Sequence, residues 1–168
     1  GATMTAAAGV VDQKPIGGAG TLAVTAGDEN LRLTNVDAST VTVSYATGVD
    51  ISDDTIDFGS ATVSVAVDET LTVNASDITG VTATGGAADD DDTGGGSFVV
   101  TMDAANAFDL SSISAGSAVD TDEDGLLGAA GSLTANIDSS TALHATTDLG
   151  EFDLVLGDDA DLAMTAAQ

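Results

Sequence analysis

Ala61-Thr62-Val63-Ser64-Val65-Ala66-Val67, followed after Asp68-Glu69 by Thr70-Leu71-Thr72-Val73-Asn74, alternates an aliphatic side chain with a small polar or small neutral one for twelve positions. A period of two places every second side chain on the same face of an extended chain, so each run predicts a half-buried strand. β-branched Val and Thr suit the pleat and disfavour helix. The same pattern recurs at Thr21–Thr25, Leu31–Val36, Thr40–Tyr45, Ser97–Met102, Leu133–Ile137, Glu151–Leu156 and Asp161–Thr165. Turn formers separate the runs at Gly27-Asp28-Glu29-Asn30, Asp53-Asp54, Ala75-Ser76-Asp77 and Gly157-Asp158-Asp159. Nine or more short strands joined by tight turns predict an all-β chain, a β-sandwich or jelly-roll-like domain with Greek-key connections. Single helical turns are expected at most near 102–110 and 124–130. Gly20-Thr21-Leu22, Glu69-Thr70-Leu71 and Gly131-Ser132-Leu133 echo one another. No regular repeat of 20–50 residues accompanies them, which counts against a solenoid.

The 168 residues suffice for one domain that buries about 70% of its unfolded surface. Its core must be assembled from small parts, because the aromatics are one Tyr and four Phe and there is no Trp. Charge is the strongest compositional feature. Twenty-eight acidic residues against Lys14 and Arg32 give a net charge of −26. No basic patch exists to displace counterions, so nucleic acid and anionic membrane surfaces are excluded as partners. Self-repulsion of this size is relieved by molar salt, where the Debye length is about 3 Å, or by divalent cations. Abundant Asp with scarce Lys fits a halophilic setting. There is no cysteine, hence no disulfide framework, and no run of about 20 apolar residues to enter a bilayer. A start at Gly1-Ala2-Thr3 without Met leads to the expectation of a processed, secreted chain. The sequon Asn74-Ala75-Ser76 makes Asn74 a candidate glycosylation site at an extracellular or cell-surface location.

Catalytic constellations are scarce. His144 is the single histidine and stands among strand formers. No serine lies in a Gly-x-Ser-x-Gly elbow, and the glycine runs lack the Lys-Ser/Thr of a phosphate loop. Paired carboxylates would serve glycoside hydrolysis, but few aromatics remain to grip a sugar. The chain is therefore expected not to be an enzyme. Asp120-Thr121-Asp122-Glu123-Asp124-Gly125 has the alternating carboxylates and the glycine of a calcium loop. Asp120, Asp122 and Asp124 are accordingly candidate ligands, with calcium as the candidate cofactor. Gly131 stands where an EF-hand places its bidentate Glu, so the alternatives are a looser surface calcium loop or a solvated acidic turn. Asp89–Asp92, inside a Gly/Ala/Asp tract of low complexity, is read as a surface loop.

The first residues carry the assembly expectation. Met4, Ala6, Ala8 and Val10 fall on one face of an extended, uncharged segment, and Pro15 with Gly17-Gly18 follows as a break. Three parts result: an N-terminal extended strand over 1–13, a hinge over 14–19, and a sandwich body over 20–168. The leader either pairs within its own sheet or is donated to the next subunit by β-strand addition. A leader at Ala2–Val11 before a strand opening Gly20-Thr21-Leu22-Ala23-Val24 resembles the donor-strand filament subunits of biofilms, the TasA/camelysin-type matrix fibres and the archaeal bundling pili. The resemblance is one of plan over the first thirty or so residues. It implies a secreted structural subunit that forms a homopolymer, a pilus or biofilm-matrix fibre, by N-terminal donor-strand complementation. A calcium-stabilised adhesin or surface-layer module and a viral capsid or tail protein are the rival expectations.

Overall fold

The computed structural model describes residues 1–88, 93–102, 107–118, 128–137, 141, 142, 144, 146–158, 160, 162 and 163. Its first elements are β1 (Thr3–Ala7), α1 (Ala8–Val11), β2 (Ile16–Ala26), β3 (Leu31–Arg32), β4 (Val36–Tyr45), β5 (Val49–Asp50), β6 (Ile56–Asp57) and β7 (Thr62–Val65). There follow β8 (Thr70–Asn74), α2 (Ala75–Ile78), β9 (Ala83–Gly85), β10 (Ser97–Thr101), β11 (Ile113–Ser114), β12 (Leu133–Ile137), β13 (Thr141–Ala142), β14 (Asp153–Leu156) and β15 (Leu162–Ala163). Among the described residues the chain is all-β apart from two single helical turns.

The strands do not form hairpins. One sheet runs β1-β2-β4-β7-β9-β11 and a second runs β14-β12-β10-β8-β5, and among the described residues every ladder in both is parallel. From β4 onward the chain visits the two sheets in turn: β4 to β5, β7 to β8, β9 to β10, β11 to β12. Each coil is thus laid on the one before it. The architecture is a β-solenoid, and the expectation of a sandwich or jelly roll with Greek-key connections is corrected. The physical reason lies in the turns. Ala66 N donates to Tyr45 O at 2.9 Å and Asp68 N to Gly94 O at 2.7 Å. These groups bond to the coils before and after, so the turn bends the chain round a corner rather than folding it back on itself.

Parallel register stacks like on like. Ala6, Val24, Val43, Val63, Ala83 and Ile113 form one file on the inner face of the first sheet. Val49, Leu71, Phe98 and Leu133 form a file of the second sheet, beside Val73, Val100, Ala135 and Leu154. These files supply much of the buried core. The outer face of the first sheet carries the complementary file Thr25, Ser44, Ser64, Thr84 and Ser114.

A second recurrence sets the turns that lead into β2, β4, β7, β9 and β11 of the first sheet and into β14 of the second. An N–H three residues on donates to the carbonyl of Val11, Leu33, Phe58, Ile78, Leu110 and Leu149, at 2.9–3.2 Å from Lys14, Val36, Ala61, Val81, Ile113 and Phe152. Just before three of these turns Asp57, Asp109 and Asp148 accept the backbone N–H two residues on, at 2.9, 3.1 and 3.0 Å. Such Asx turns are the local chemistry for which Asp is suited.

The opposite corner is a neck of glycines. Gly86 N donates to Val65 O, Gly96 N to Gly86 O, Gly116 N to Gly96 O and Gly131 N to Gly116 O, all at 2.7–2.9 Å. Ends of the first sheet therefore alternate with beginnings of the second, backbone against backbone. A Cβ at Gly116 would overlap Gly86 O, and one at Gly131 would overlap Gly96 O. Gly116→Ala should therefore destabilise by about 3 kcal/mol or more, the range of a severe steric clash. Gly9 lies in α1 with nothing within 4 Å of its missing Cβ, and Gly9→Ala should be neutral or stabilising by up to about 1 kcal/mol. Denaturant titration of both variants tests the neck; equal stability would contradict it.

Candidate functional site

β1 lies parallel to β2 in the chain's own sheet, with Met4 beside Leu22 and Ala6 beside Val24. It is the terminal strand of that sheet, so its outer edge is open. The extended segment expected over 1–13 ends at Ala7. Ala8 and Val10 belong to α1, where Ala8 is buried and Val10 is 61% exposed. The common face expected for Met4, Ala6, Ala8 and Val10 is thereby corrected. A helical turn replaces it because Ala8 and Val11 are carried inward onto the core, across the end of the stack. The hinge expected over 14–19 is likewise largely strand. Ile16, Gly17 and Gly18 pair with Val36, Asp37 and Ala38, and the break is a register shift between Gly18 and Thr21. Pro15 precedes the strand, where its missing N–H costs nothing.

An ion pair ties the first coil to the second. Asp12 accepts from Arg32 Nη2 at 2.8 Å, from Arg32 Nε at 3.0 Å and from the Arg32 backbone N–H at 2.9 Å. These bonds, the guanidinium's first, hold the Asp12 carboxyl at about 2, below its usual value. Asp109 is also lowered, by the Ser111 hydroxyl and then the Ser111 N–H. In the opposite sense, burial raises the Tyr45 phenol, and the nearby Glu29 and Asp54 raise it further. Among the described residues Tyr45 Oη has no hydrogen-bond partner.

Beside β1 lies a cavity of about 210 Å³, lined largely by apolar groups, among them Met4, Ile16, Gly18, Leu22 and Ala38. A second hollow of about 340 Å³ includes Asp57, Ser76, Asp77 and Thr79. Its two carboxylates serve local structure, Asp57 accepting Gly59 N–H at 2.9 Å and Asp77 accepting the Ser76 hydroxyl at 3.3 Å.

The remaining candidates are dispersed. Asp120, Asp122 and Asp124 lie outside the described residues, as do Asp89–Asp92. Their flanks are described, and they meet. Ala88 N donates to Ser117 O at 2.9 Å, Gly95 N to Ala129 O at 2.7 Å and Ala129 N to Thr93 O at 3.0 Å. The described residues that flank the two acidic segments are therefore hydrogen-bonded to one another beside the glycine neck. Among the described residues, no three His, Asp or Glu are gathered as a metal site. Asn74 ends β8 with its side-chain amide donating to Ser52 O, an engagement that competes with glycan attachment. His144 is exposed, with Nδ1 2.9 Å from the Thr146 hydroxyl. No helix among the described residues is long and apolar enough to cross a membrane. The helical turn expected at 103–106 lies outside the described residues, as does 124–127 of the one expected over 124–130, whose described end includes Ala129 in a parallel bridge to Gly94.

Comparison of the chain with protein-family models, with curated proteins and with solved structures finds no match. Function must be argued from the stack itself.

Two predictions follow from these side chains. A carboxyl lowered in the folded state binds fewer protons there than in the unfolded chain, so its contribution to stability is present above the unfolded value and is lost as pH falls through the folded one. Acid titration should show stability falling from about pH 4 towards about pH 2, and Asp12→Asn should flatten part of that slope. An unchanged slope would remove the ion pair from the account. Separately, Tyr45→Phe relieves a buried unpaired hydroxyl and should stabilise by about 1 kcal/mol in thermal or urea unfolding. A loss of similar size would show that the hydroxyl has a partner.

Proposed function

We propose that this chain is a secreted, non-catalytic structural subunit of an extracellular filament, in which solenoids continue one another coil on coil. The observation that carries the proposal is the open stack: the sheets terminate in β1 at one end and β14 at the other, and each offers an edge already in the parallel geometry of the body. Such a body extends in one dimension, each coil contacting only its neighbours. This revises the means of assembly. β1 takes part as an edge that receives the next subunit rather than as a strand given away.

The chemistry of the surface agrees with a structural role. Five aromatics in the sequence leave little for a binding cleft, and Tyr45, Phe58, Phe98, Phe108 and Phe152 are all buried in the core. The outer face of the first sheet is a Thr/Ser surface well suited to water. Twenty-six net negative charges keep unassembled chains apart at low ionic strength. High salt, or calcium taken up by the acidic segments, then permits contact.

Immunogold electron microscopy of producing cells, with an antibody to the chain, tests the role. Label along extracellular fibres is the expected result. Label confined to the cell interior, or spread over the surface without fibres, would overturn it.

A further inference from the structure

Resting on that filament reading, we infer that the two ends of this solenoid form a specific head-to-tail interface between copies of the chain, with the last coil of one copy seated on β1 of the next. Three independent features of the ends point to a second copy as the occupant.

The first is the state of the core files where they run out. Met4 stands in the file of Leu22, which is 1% exposed, yet Met4 itself is 47% exposed. Leu156 stands in the file of Ile137, which is fully buried, yet is 48% exposed. Both are inner positions with no coil beyond them among the described residues. Val155, 49% exposed, and Val10 complete the exposed large hydrophobics among the described residues. They divide two and two between the first coil and the last, and Val155 stands in the outward-facing file of Thr101 and Asn136.

The second feature is shape. The apolar cavity of about 210 Å³ beside Met4 opens where β1 leaves the first half of β2 unpaired, since β1 covers Thr21–Thr25 of an eleven-residue strand. It has room for an aliphatic side chain brought by an incoming edge strand, and β14 carries Leu154, Val155 and Leu156 on such an edge. Main-chain pairing supplies affinity and the seated side chain supplies register, the division of labour in β-augmentation.

The third is charge. Residues 1–35 hold both bases, Lys14 and Arg32, against Asp12, Asp28 and Glu29, a net of −1; the rest of the chain holds the other twenty-five acids and no base. Residues 148–168 alone contain six carboxylates. Tail-to-tail contact would join two acidic ends, and head-to-head contact would leave every acidic end unused. Head-to-tail contact brings each acidic end to the near-neutral end that carries the bases. A heterologous contact of this kind does not close on itself and yields an open fibre.

The test uses purified chain in molar salt and two variants, Met4→Asp and Leu156→Asp, each placing a charge at one end. Sedimentation velocity should show polymers for the parent and monomers for each variant alone. An equimolar mixture should give a dimer, twice the monomer mass and no larger, because each variant retains the end the other lacks. Thermal melts by circular dichroism establish that both variants keep their sheets; if either does not, Met4→Ser and Leu156→Ser replace them with the same expectation. A monomeric parent would overturn the interface and mean that another occupant, such as further coils of a longer chain, covers these ends. Polymers from either variant, or a mixture that stays monomeric, would overturn it as well. Fibres labelled on cells alongside any of these results would leave the structural role standing and remove only this contact.

Discussion

Each coil's backbone hydrogen bonds go to the coil above and the coil below, and this single constraint governs what every position in the sequence is allowed to be. Strands in register lie about 4.8 Å apart, so a residue is stacked on its counterpart in the next coil whatever the loops between them do. Inner files must then fill a shaft of nearly constant width, which small and medium aliphatics do well. Tyr45 meets the constraint at a cost: in the file Ala26, Tyr45, Val65, Gly85 the neighbours shrink around it, and its hydroxyl is left unpaired. Where two coils approach backbone to backbone, as at Gly96, Gly116 and Gly131, no side chain fits at all.

The same stacking is dangerous for charge. Like charges at about 4.8 Å repel by roughly 1 kcal/mol per pair even in water, and by more near a protein surface. The chain answers by location. The flat outer face of the first sheet holds files of Thr and Ser, and the Ser64 hydroxyl donates to that of Ser44 at 3.0 Å. Several carboxylates sit instead at corners, where Asp50, Asp57, Asp109 and Asp148 each accept a backbone N–H. Asp109 and Asp148 are bridged neighbours, and their turn amides offset the repulsion between them. Part of the acidity is therefore turn chemistry rather than a ligand set.

The strands were largely legible in the sequence. Thr70–Asn74 and Leu133–Ile137 are strands over the expected ranges, and Thr40–Tyr45 and Thr21–Thr25 lie inside longer ones. Alternation reports that one face is buried; it carries no information about which strand lies alongside, and tight turns look alike whether they reverse the chain or bend it. The solenoid repeat was hidden by unequal insertions. The turns beginning at Val11, Leu33, Phe58, Ile78, Leu110 and Leu149 are separated by 22, 25, 20, 32 and 39 residues, too uneven for a fixed-period search. A faint signal existed, for Glu69-Thr70-Leu71 and Gly131-Ser132-Leu133 do open strands whose leucines share one file. At the N-terminus, alternation through Val10 failed because the apolar residues Ala8 and Val11 satisfy the end of the core better from a helical turn.

All of this depends on parallel pairing between coils, and scalar couplings across hydrogen bonds report that pairing directly. In solution NMR of the labelled chain, Val63 N should couple to the carbonyl carbon of Thr82, and Ala83 N to that of Ser112, across the bonds seen at 2.9 and 3.2 Å. Couplings from Val63 and its neighbours to carbonyls within Thr70–Asn74 would mean that the two strands form an antiparallel hairpin. That result would contradict the solenoid and everything built on its ends.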